Sequence, residues 1–340
     1  MILSRRSTLV FIDERNFFSN SSISLAMGAF ISLRFKAIYR LVGYNINSIG
    51  ELIKTNSMTN QIKQDFELIS KNENRPFLAD LTAERTNSSL PVVLFVHGFK
   101  GFKDWGHFNM LAQKFAEQGF AFIKFNMSFN GISNDDPSNF TDLEAFGNNN
   151  FSKELNDMDT MLEFIHSNPI EDVKLNPEQL FVVGHSRGGG VSIIKTKEDK
   201  RIKGLATWAA LNDFSMGFTD ELIEHWKKKG VHYVENTRTN QMMPLYFQAY
   251  HDLINNRKRY NPKLAISEVT QPTLIIHGDK DPTVPVEHAY ALQQSKPDAE
   301  LHIIEGADHV FGGSHPFNAD DLHPHTYEVL NKTVSFFKNI

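Results

Sequence analysis

Cysteine is absent from this 340-residue sequence, and so is any excess of basic side chains. Without cysteine the protein has no disulfide, no thiolate nucleophile and no cysteine-ligated zinc site. Its 40 aspartate and glutamate residues outnumber its 35 lysine and arginine residues, which gives a formal net charge of -5. A protein that follows a phosphate backbone usually carries a basic field, so we expect no nucleic-acid partner.

Long apolar runs are also lacking. No stretch approaches the roughly 18 consecutive apolar residues that a membrane-spanning helix needs. The nearest candidate, "ISLAMGAFISL" at 23–33, could serve as the apolar region of a signal peptide. However, Asp13 and Glu14 interrupt the charged segment before it, and no small-residue cleavage motif follows. We therefore expect a cytoplasmic protein that has no membrane partner.

The first 57 residues differ from the rest, because they mix arginine, serine and asparagine without a sustained hydrophobic period. We interpret 1–57 as an N-terminal extension and 58–340 as the main domain. Two hypotheses remain open for the extension. Either it is extra translated sequence and the native protein begins at Met58, or it is a flexible arm or short helical appendage.

From Met58 onward, short apolar runs alternate with amphipathic segments. The runs predict strands near 64–70, 75–84, 91–99, 120–127, 179–186, 202–211, 272–279 and 299–309, with helices at 107–119, 154–167 and 326–340. This alternation is typical of a mostly parallel, doubly wound α/β sheet that helices cover on both faces. Residues 212–268 interrupt the pattern, and we expect them to form a helical cap insertion.

The sequence "LFVVGHSRGGG" runs an apolar strand directly into the motif Gly184-x-Ser186-x-Gly188. In a strand–turn–helix context this motif forms a nucleophile elbow, which lifts the serine hydroxyl above the sheet. The two glycines let the helix pass close to the strand without a Cβ clash. The alternative is a serine that merely caps a helix N-terminus.

A serine hydroxyl needs a base, and the base needs an orienting carboxylate. His309 follows the last predicted strand in "GADHVFGG" and is our candidate base. Asp281, in "HGDKDPTVP", is our candidate carboxylate. Asp279 is its rival, although it fits a turn former better, and Asp308 is a weaker candidate because it adjoins the base in sequence.

An oxyanion hole completes the predicted site. Its two donors are expected to be the backbone N–H groups of Arg187, which follows the serine, and of Phe99, in the loop after the strand at 91–99. Gly98 gives that loop the room it needs, and His97 shapes the loop. His97 as an alternative base is not supported by its surroundings in the sequence.

The motifs "HGFKGFKDW", "GHSRGGG", "HGDKDPTVP" and "GADHVF" occur in the order found in the α/β-hydrolase superfamily, which 65–340 resembles. The resemblance is greatest to feruloyl (cinnamoyl) esterases, dienelactone hydrolases and the hydrolase domains of prolyl oligopeptidase-like peptidases. It implies the α/β-hydrolase fold, a Ser186–Asp281–His309 triad, no metal or other cofactor, and an acyl-enzyme route to ester hydrolysis. Arg187 departs from the glutamine that the esterases often have.

The resemblance leaves the substrate open. A carboxylesterase of the feruloyl-esterase type, acting on a small-molecule ester, is our preferred interpretation. A serine peptidase, a thioesterase or an acyltransferase would use the same triad. A binding module without chemistry is a remote alternative, since such a protein typically lacks one triad member. A homodimer is a further possibility.

Two other groups of residues have side chains of a kind that forms binding sites. Histidines and aspartates gather in "SHPFNADDLHPH" at 314–325, but its prolines favour an irregular loop with solvated histidines over a metal site. An apolar acyl pocket could draw on Trp208, Trp226, Met242, Met243 and Tyr246. For Trp208, core packing is the preferred interpretation.

Overall fold

The computed structural model describes residues 60–167 and 170–340, so the predicted extension and the start at Met58 lie outside the described residues. The described chain forms ten strands and nine helices, and none of these helices is long and apolar enough to cross a membrane. The strands are β1 (Gln61–Ile69), β2 (Pro76–Glu84), β3 (Leu90–Val96), β4 (Ala121–Phe125), β5 (Leu175–His185), β6 (Ile202–Trp208), β7 (Val231–Asn236), β8 (Gln241–Tyr246), β9 (Thr273–Gly278) and β10 (Glu300–Ile304). The helices are α1 (Phe108–Glu117), α2 (Leu143–Gly147), α3 (Phe151–Ser167), α4 (Arg187–Glu198), α5 (Asp220–Lys229), α6 (Gln248–Asn255), α7 (Pro262–Ile266), α8 (Glu287–Ser295) and α9 (Pro324–Lys338).

Eight of the strands form one sheet in the order β1-β2-β4-β3-β5-β6-β9-β10. The pairs from β4 to β10 are parallel, whereas β2 runs antiparallel to both β1 and β4. The predicted α/β class with a mostly parallel sheet is therefore confirmed. Because neighbouring parallel strands end at one edge, the residues after β3, β5, β9 and β10 meet there.

Helices cover both faces of this sheet, as the strand sequences require. Val92 and Leu94 of β3 point into one apolar cluster, which includes buried side chains of α3 and α4. Val93 and Phe95 alternate with them and join the opposite cluster, which includes buried side chains of α1 and α9. Alternate burial on both faces explains why β3 reads as a continuous apolar run.

The insertion over 212–268 differs from the prediction in one respect. It contains α5, α6 and α7, but β7 and β8 form an antiparallel hairpin between them, so it is not wholly helical. Asn240, with φ of 54°, helps to close the hairpin. The turn lacks the Asn-Gly or Asp-Gly pair that most clearly signals a hairpin, which explains why the sequence did not reveal it. Lys100, in the loop after β3, donates from Nζ to the carbonyl of Glu235, so this hairpin contacts that loop.

A buried network of charges holds the end of the loop that follows β3. Oδ2 of Asp80 lies 2.7 Å from Nζ of Lys103 and 2.5 Å from Nζ of Lys124, and Asp104 accepts from both ammonium groups at 2.6 Å. Burial alone would raise the pKa of Asp104, but the two ammonium groups lower it well below its usual range. The network ties the chain after the loop to β2 and β4.

Removing one partner of this network is expected to destabilise the fold. We expect Lys124→Met to lower the free energy of unfolding by about 3–5 kcal/mol, because it leaves buried carboxylates with fewer partners. Urea denaturation followed by circular dichroism measures the change. Lys71→Met is the matched control, since Lys71 and Glu163 form an ion pair at 2.5 Å with both side chains about half exposed. Its loss should stay below about 1 kcal/mol, and equal denaturation midpoints for the two variants would contradict the expectation.

Candidate active site

Ser186 lies at the sharp junction between β5 and α4. Its φ of 56° and ψ of -123° place it in a region that residues with a Cβ rarely occupy. The junction is held on the main chain, where the N–H of Ser186 donates to the carbonyl of Trp208 at 2.8 Å. Its hydroxyl forms no hydrogen bond with any part of the chain that the structure describes. The hydroxyl is therefore available to a base and a substrate.

The three predicted glycines lie where no side chain would fit. A Cβ at Gly188 would collide with the carbonyl of His97, and a Cβ at Gly184 would collide with the carbonyl of Gly188. A Cβ at Gly98 would lie 2.9 Å from Cβ of Ser186. The loop after β3 and the junction after β5 are thus in direct contact at the edge of the sheet.

The two predicted oxyanion donors have no competing partner. The backbone N–H groups of Phe99 and Arg187 form no hydrogen bond with any of the described residues. Arg187 is the first residue of α4, and the first N–H groups of a helix lack intrahelical acceptors. Arg187 follows Ser186 directly, and Phe99 follows Gly98, where an added Cβ would meet Ser186, so both amides belong to residues next to the serine or to a residue packed against it.

His97 is buried and shapes the loop rather than acting as a base. Its Nε2 accepts from the N–H of Met127 at 3.2 Å, so its proton resides on Nδ1, which donates to the carbonyl of Gly98 at 2.9 Å. Burial lowers the pKa of His97 to about 4, which keeps the ring neutral. Both ring nitrogens are engaged with backbone, consistent with the expectation from the sequence.

Asp281 and His309 form a hydrogen bond between Nδ1 of the imidazole and Oδ2 of the carboxylate at 2.7 Å. Oδ1 of Asp281 accepts from the N–H groups of Thr283 and Val284 at 2.8 and 2.9 Å. Burial alone would raise the pKa of Asp281, but hydrogen bonds from His277 and His309 lower it well below its usual range. The carboxylate therefore stays ionised beside the imidazole.

The rival aspartates serve local turns. Oδ1 of Asp279 accepts from the N–H of Gly306 at 2.6 Å, and Oδ1 of Asp308 accepts from the N–H of Gly312 at 2.8 Å. Neither forms a hydrogen bond with the imidazole of His309. The geometry thus favours Asp281 among the three candidates, because only its carboxylate bonds the imidazole.

Two further histidines touch this site and were not singled out from the sequence. Nε2 of His185 lies 2.9 Å from the carbonyl oxygen of His309, and the two rings are 4.9 Å apart. This contact sets His309 against the residue that precedes Ser186. His277 contacts Asp281. The available signal was that each is a histidine at the end of an otherwise apolar strand, but a sequence does not reveal the direction of the ring.

The side chain of Arg187 is engaged beside the oxyanion loop. Its guanidinium binds Glu154 through Nη2 at 2.9 Å and Nε at 3.2 Å. It also lies over the ring of Phe151 at 4.2 Å and that of Phe99 at 5.5 Å. The esterases often have glutamine at this position. Here the arginine pairs with Glu154 and stacks on the rings of Phe151 and Phe99.

The residues considered for an acyl pocket include both buried and exposed side chains. Trp208 is buried, with Nε1 donating to a threonine of α9, which agrees with core packing. Trp226 and Met243 are also buried, and Nε1 of Trp226 donates to the carbonyl of Leu245 within the insertion. Met242 is 54% exposed on the hairpin. Tyr246 donates its hydroxyl to Glu144 at 2.5 Å. Trp208 and Met243 belong to one buried apolar cluster, whereas Met242 is exposed.

The histidine-rich segment at 314–325 forms local hydrogen bonds. Nδ1 of His315 accepts from a main-chain N–H, and Nδ1 of His323 accepts from the N–H of His325 at the start of α9. Asp321 accepts from a tyrosine hydroxyl, and Asp320 is exposed. Within 60–167 and 170–340, no group of three or more histidine, aspartate or glutamate residues is arranged to hold a metal.

His107, near the site, makes stability depend on pH. Burial lowers its pKa from 6.5 to about 4, although the carboxylate of Asp308 opposes this. Between these values the unfolded chain binds more protons, so the free energy of unfolding falls as pH falls, by up to about 1.4 kcal/mol per pH unit. We expect His107→Leu to reduce the slope of the free energy of unfolding against pH by the amount that corresponds to about one proton. The buried histidines His97 and His185 should account for the remaining slope.

Urea denaturation at several pH values between 6.5 and 4 measures the slope. Leu111→Ala, which leaves a cavity in α1 about one turn after His107, is the control and should lower stability equally at each pH. A slope in His107→Leu as steep as that of the wild type would contradict the role of His107.

The sequence model of the BD-FAE family, an esterase domain family, matches residues 80–295. Among curated proteins, the uncharacterized protein PA2218 of Pseudomonas aeruginosa is 23% identical over 275 residues, which span 68% of this chain and 70% of that protein.

Solved structures share the fold. The esterase Est1E of Butyrivibrio proteoclasticus, solved with ferulic acid bound, superposes with a TM-score of 0.59 at 18% identity, over 81% of this chain and 98% of that one. The α/β hydrolase GrgF of Penicillium sp. sh18 superposes with a TM-score of 0.62 at 17% identity, over 82% and 98% of the two chains. The predicted α/β-hydrolase fold is therefore confirmed.

Proposed function

Because the chain belongs to the BD-FAE family of esterase domains, we propose that it is a serine hydrolase that cleaves carboxylic esters through an acyl-enzyme. The observation that carries the proposal is the 2.7 Å hydrogen bond from His309 to the buried carboxylate of Asp281. The base in this pair contacts the residue that precedes Ser186.

In the acylation step, Oγ of Ser186 attacks the ester carbonyl carbon while Nε2 of His309 accepts the hydroxyl proton. The carbonyl oxygen becomes an oxyanion, which the N–H groups of Phe99 and Arg187 bind. The carbon–oxygen bond to the alcohol then breaks, and His309 returns its proton to the departing alkoxide. Asp281 keeps the imidazole in the tautomer with Nδ1 protonated.

In the deacylation step, water takes the place of the alcohol. His309 accepts a proton from the water as its oxygen attacks the acyl carbon, and the same amides bind the second oxyanion. The bond to Oγ of Ser186 breaks, the proton returns to the serine, and the acid leaves. A serine hydroxyl without a hydrogen bond to its base is common before substrate binds, since catalytic hydrogen bonds often tighten only in the complex.

For the acyl group we propose an aromatic acid. Phe99 follows the glycine that contacts Ser186, and its ring lies 5.5 Å from that of Phe146. The guanidinium of Arg187 lies over the ring of Phe151. Rings and a planar cation of this kind favour a flat aromatic group. The ferulic acid bound to Est1E is a group of that shape.

Labelling with a fluorophosphonate, followed by peptide mass spectrometry, tests the nucleophile. Label on Ser186, together with hydrolysis of a short chromogenic ester, supports the proposal. Label without turnover of any ester would favour a peptidase or an acyltransferase. The absence of both label and turnover would contradict the hydrolase proposal and favour a binding module.

A substrate panel tests the acyl group. Methyl esters of hydroxycinnamic acids should give a higher kcat/KM than methyl esters of aliphatic acids of similar size. A preference for aliphatic esters would overturn the aromatic assignment while leaving the ester hydrolase intact.

A further inference from the structure

His277 is fully buried at the end of β9 and faces the carboxylate of Asp281. Its Nε2 lies 3.2 Å from Oδ2 of Asp281 and 2.9 Å from the carbonyl oxygen of Val284. Both of these atoms are acceptors, so Nε2 carries a proton and donates to them. Nδ1 has no partner among the described residues, and a second proton there would be buried without an acceptor. His277 therefore donates from Nε2.

Asp281 is surrounded by four donors, two on each oxygen. Oδ1 accepts the N–H groups of Thr283 and Val284, and Oδ2 accepts His309 and His277. The backbone donors alone would leave Oδ2 free to move whenever His309 shifts during the reaction. His277 is the one side chain besides His309 that holds this oxygen, within the part of the chain that the structure describes.

On this geometry, and resting on the proposed function, we propose that His277 is a positioning residue for the reaction: it fixes Oδ2 of Asp281 and shares its charge. The hydrogen bond from His277 draws electron density from the oxygen that His309 uses. Without it, the carboxylate would bind the imidazole proton more strongly and could rotate about the Cβ–Cγ bond. The imidazole of His309 would then be misplaced, and its protonated form would be harder to deprotonate.

Other ionisable groups face this pair and remain in place when His277 is changed. They are His185, at the end of β5, and His288, in α8. Only Asp281 among the described carboxylates bonds His277. A change confined to His277 therefore reports on Asp281 and His309.

His277→Leu and His277→Gln form the test pair. Leucine fills a similar volume but donates nothing, whereas the amide nitrogen of glutamine can reach the place of Nε2. We expect His277→Leu to lower kcat, and the rate of fluorophosphonate labelling of Ser186, by on the order of ten- to a hundredfold with KM little changed. The acid limb of the pH profile should move to higher pH. His277→Gln should recover most of the rate and the wild-type acid limb.

Leu274→Ala is the control for lost stability, because Leu274 is buried near the start of the same strand, where it pairs with Ala206 and Glu300. It should keep the wild-type kcat and pH profile although it melts at a lower temperature. If His277→Leu does not fold, His277→Asn replaces it, since the shorter amide falls short of Asp281 and should lose the same rate.

The outcomes separate the two proposals. Wild-type protein that takes no label on Ser186 would overturn the proposed function and this inference with it. Labelled wild type with an unchanged rate and acid limb in His277→Leu would overturn the inference alone. A loss in His277→Gln equal to that in His277→Leu would also overturn it, because a structural role would explain both.

Discussion

Ser186→Ala is expected to lower kcat for ester hydrolysis by about 10⁶-fold, among the largest effects of any single substitution in this protein. The side chain that attacks the carbonyl is removed, while the strained junction around it keeps its backbone bonds to Trp208 and Gly189. The amides of Phe99 and Arg187 remain, so a residual rate about 10³–10⁴-fold above that in water should persist. Steady-state hydrolysis of a chromogenic ester measures the loss.

The matched control is Ser192→Ala, on α4 only two turns from the nucleophile. The Ser192 side chain is fully buried and its hydroxyl has no partner among the described residues, so removing it should leave kcat near that of the wild type. Fluorophosphonate should label Ser192→Ala and not Ser186→Ala. Activity that survives in Ser186→Ala would mean that another residue is the nucleophile.

Asp281→Asn is expected to lower kcat by about 10⁴-fold. Its amide would keep an oxygen toward the N–H groups of Thr283 and Val284, which turns the NH₂ group toward His309. The imidazole would then accept at Nδ1 and carry its proton on Nε2. In that tautomer His309 cannot take the proton of Ser186. The NH₂ group would also oppose the donor of His277, which adds to the loss.

Asp279→Asn is the control that distinguishes the two aspartates of the same turn. Asp279 accepts from the N–H of Gly306 and does not bond His309, so its substitution should change kcat by only a fewfold. Both variants remove one charge, and both can be compared by kcat at the same pH. A larger loss in Asp279→Asn than in Asp281→Asn would reassign the carboxylate of the triad.

The fold class and the places of the site residues follow from local features of the sequence. Apolar runs such as that of β3 are buried on both faces, and that requirement is visible in consecutive residues. The glycines around Ser186 mark a backbone that passes too close to its neighbours for a Cβ, which is also a local signal. Parallel strands then bring their carboxyl ends to one edge, so residues distant in sequence were expected together without any knowledge of the contacts.

Other features depended on partners that local sequence does not name. Lys124 sits inside a strand with a wholly buried ammonium group, and only the carboxylates brought by β2 and the loop after β3 make this tolerable. The hairpin of β7 and β8 forms within a segment expected to be helical, because cross-strand pairing and packing decided the outcome over a weak turn signal.

A mostly parallel sheet, the order of the site motifs and the candidates Ser186, His309, Asp281 and Asp279 could be predicted from the sequence, because strand burial and turn chemistry act over a few neighbouring residues. That Asp281 bonds His309 while Asp279 does not, and that His277 also bonds Asp281, is evident only in the folded protein. Those outcomes depend on the directions of side chains from β9 and the loop after β10. Directions of that kind are set by packing between segments far apart in the chain.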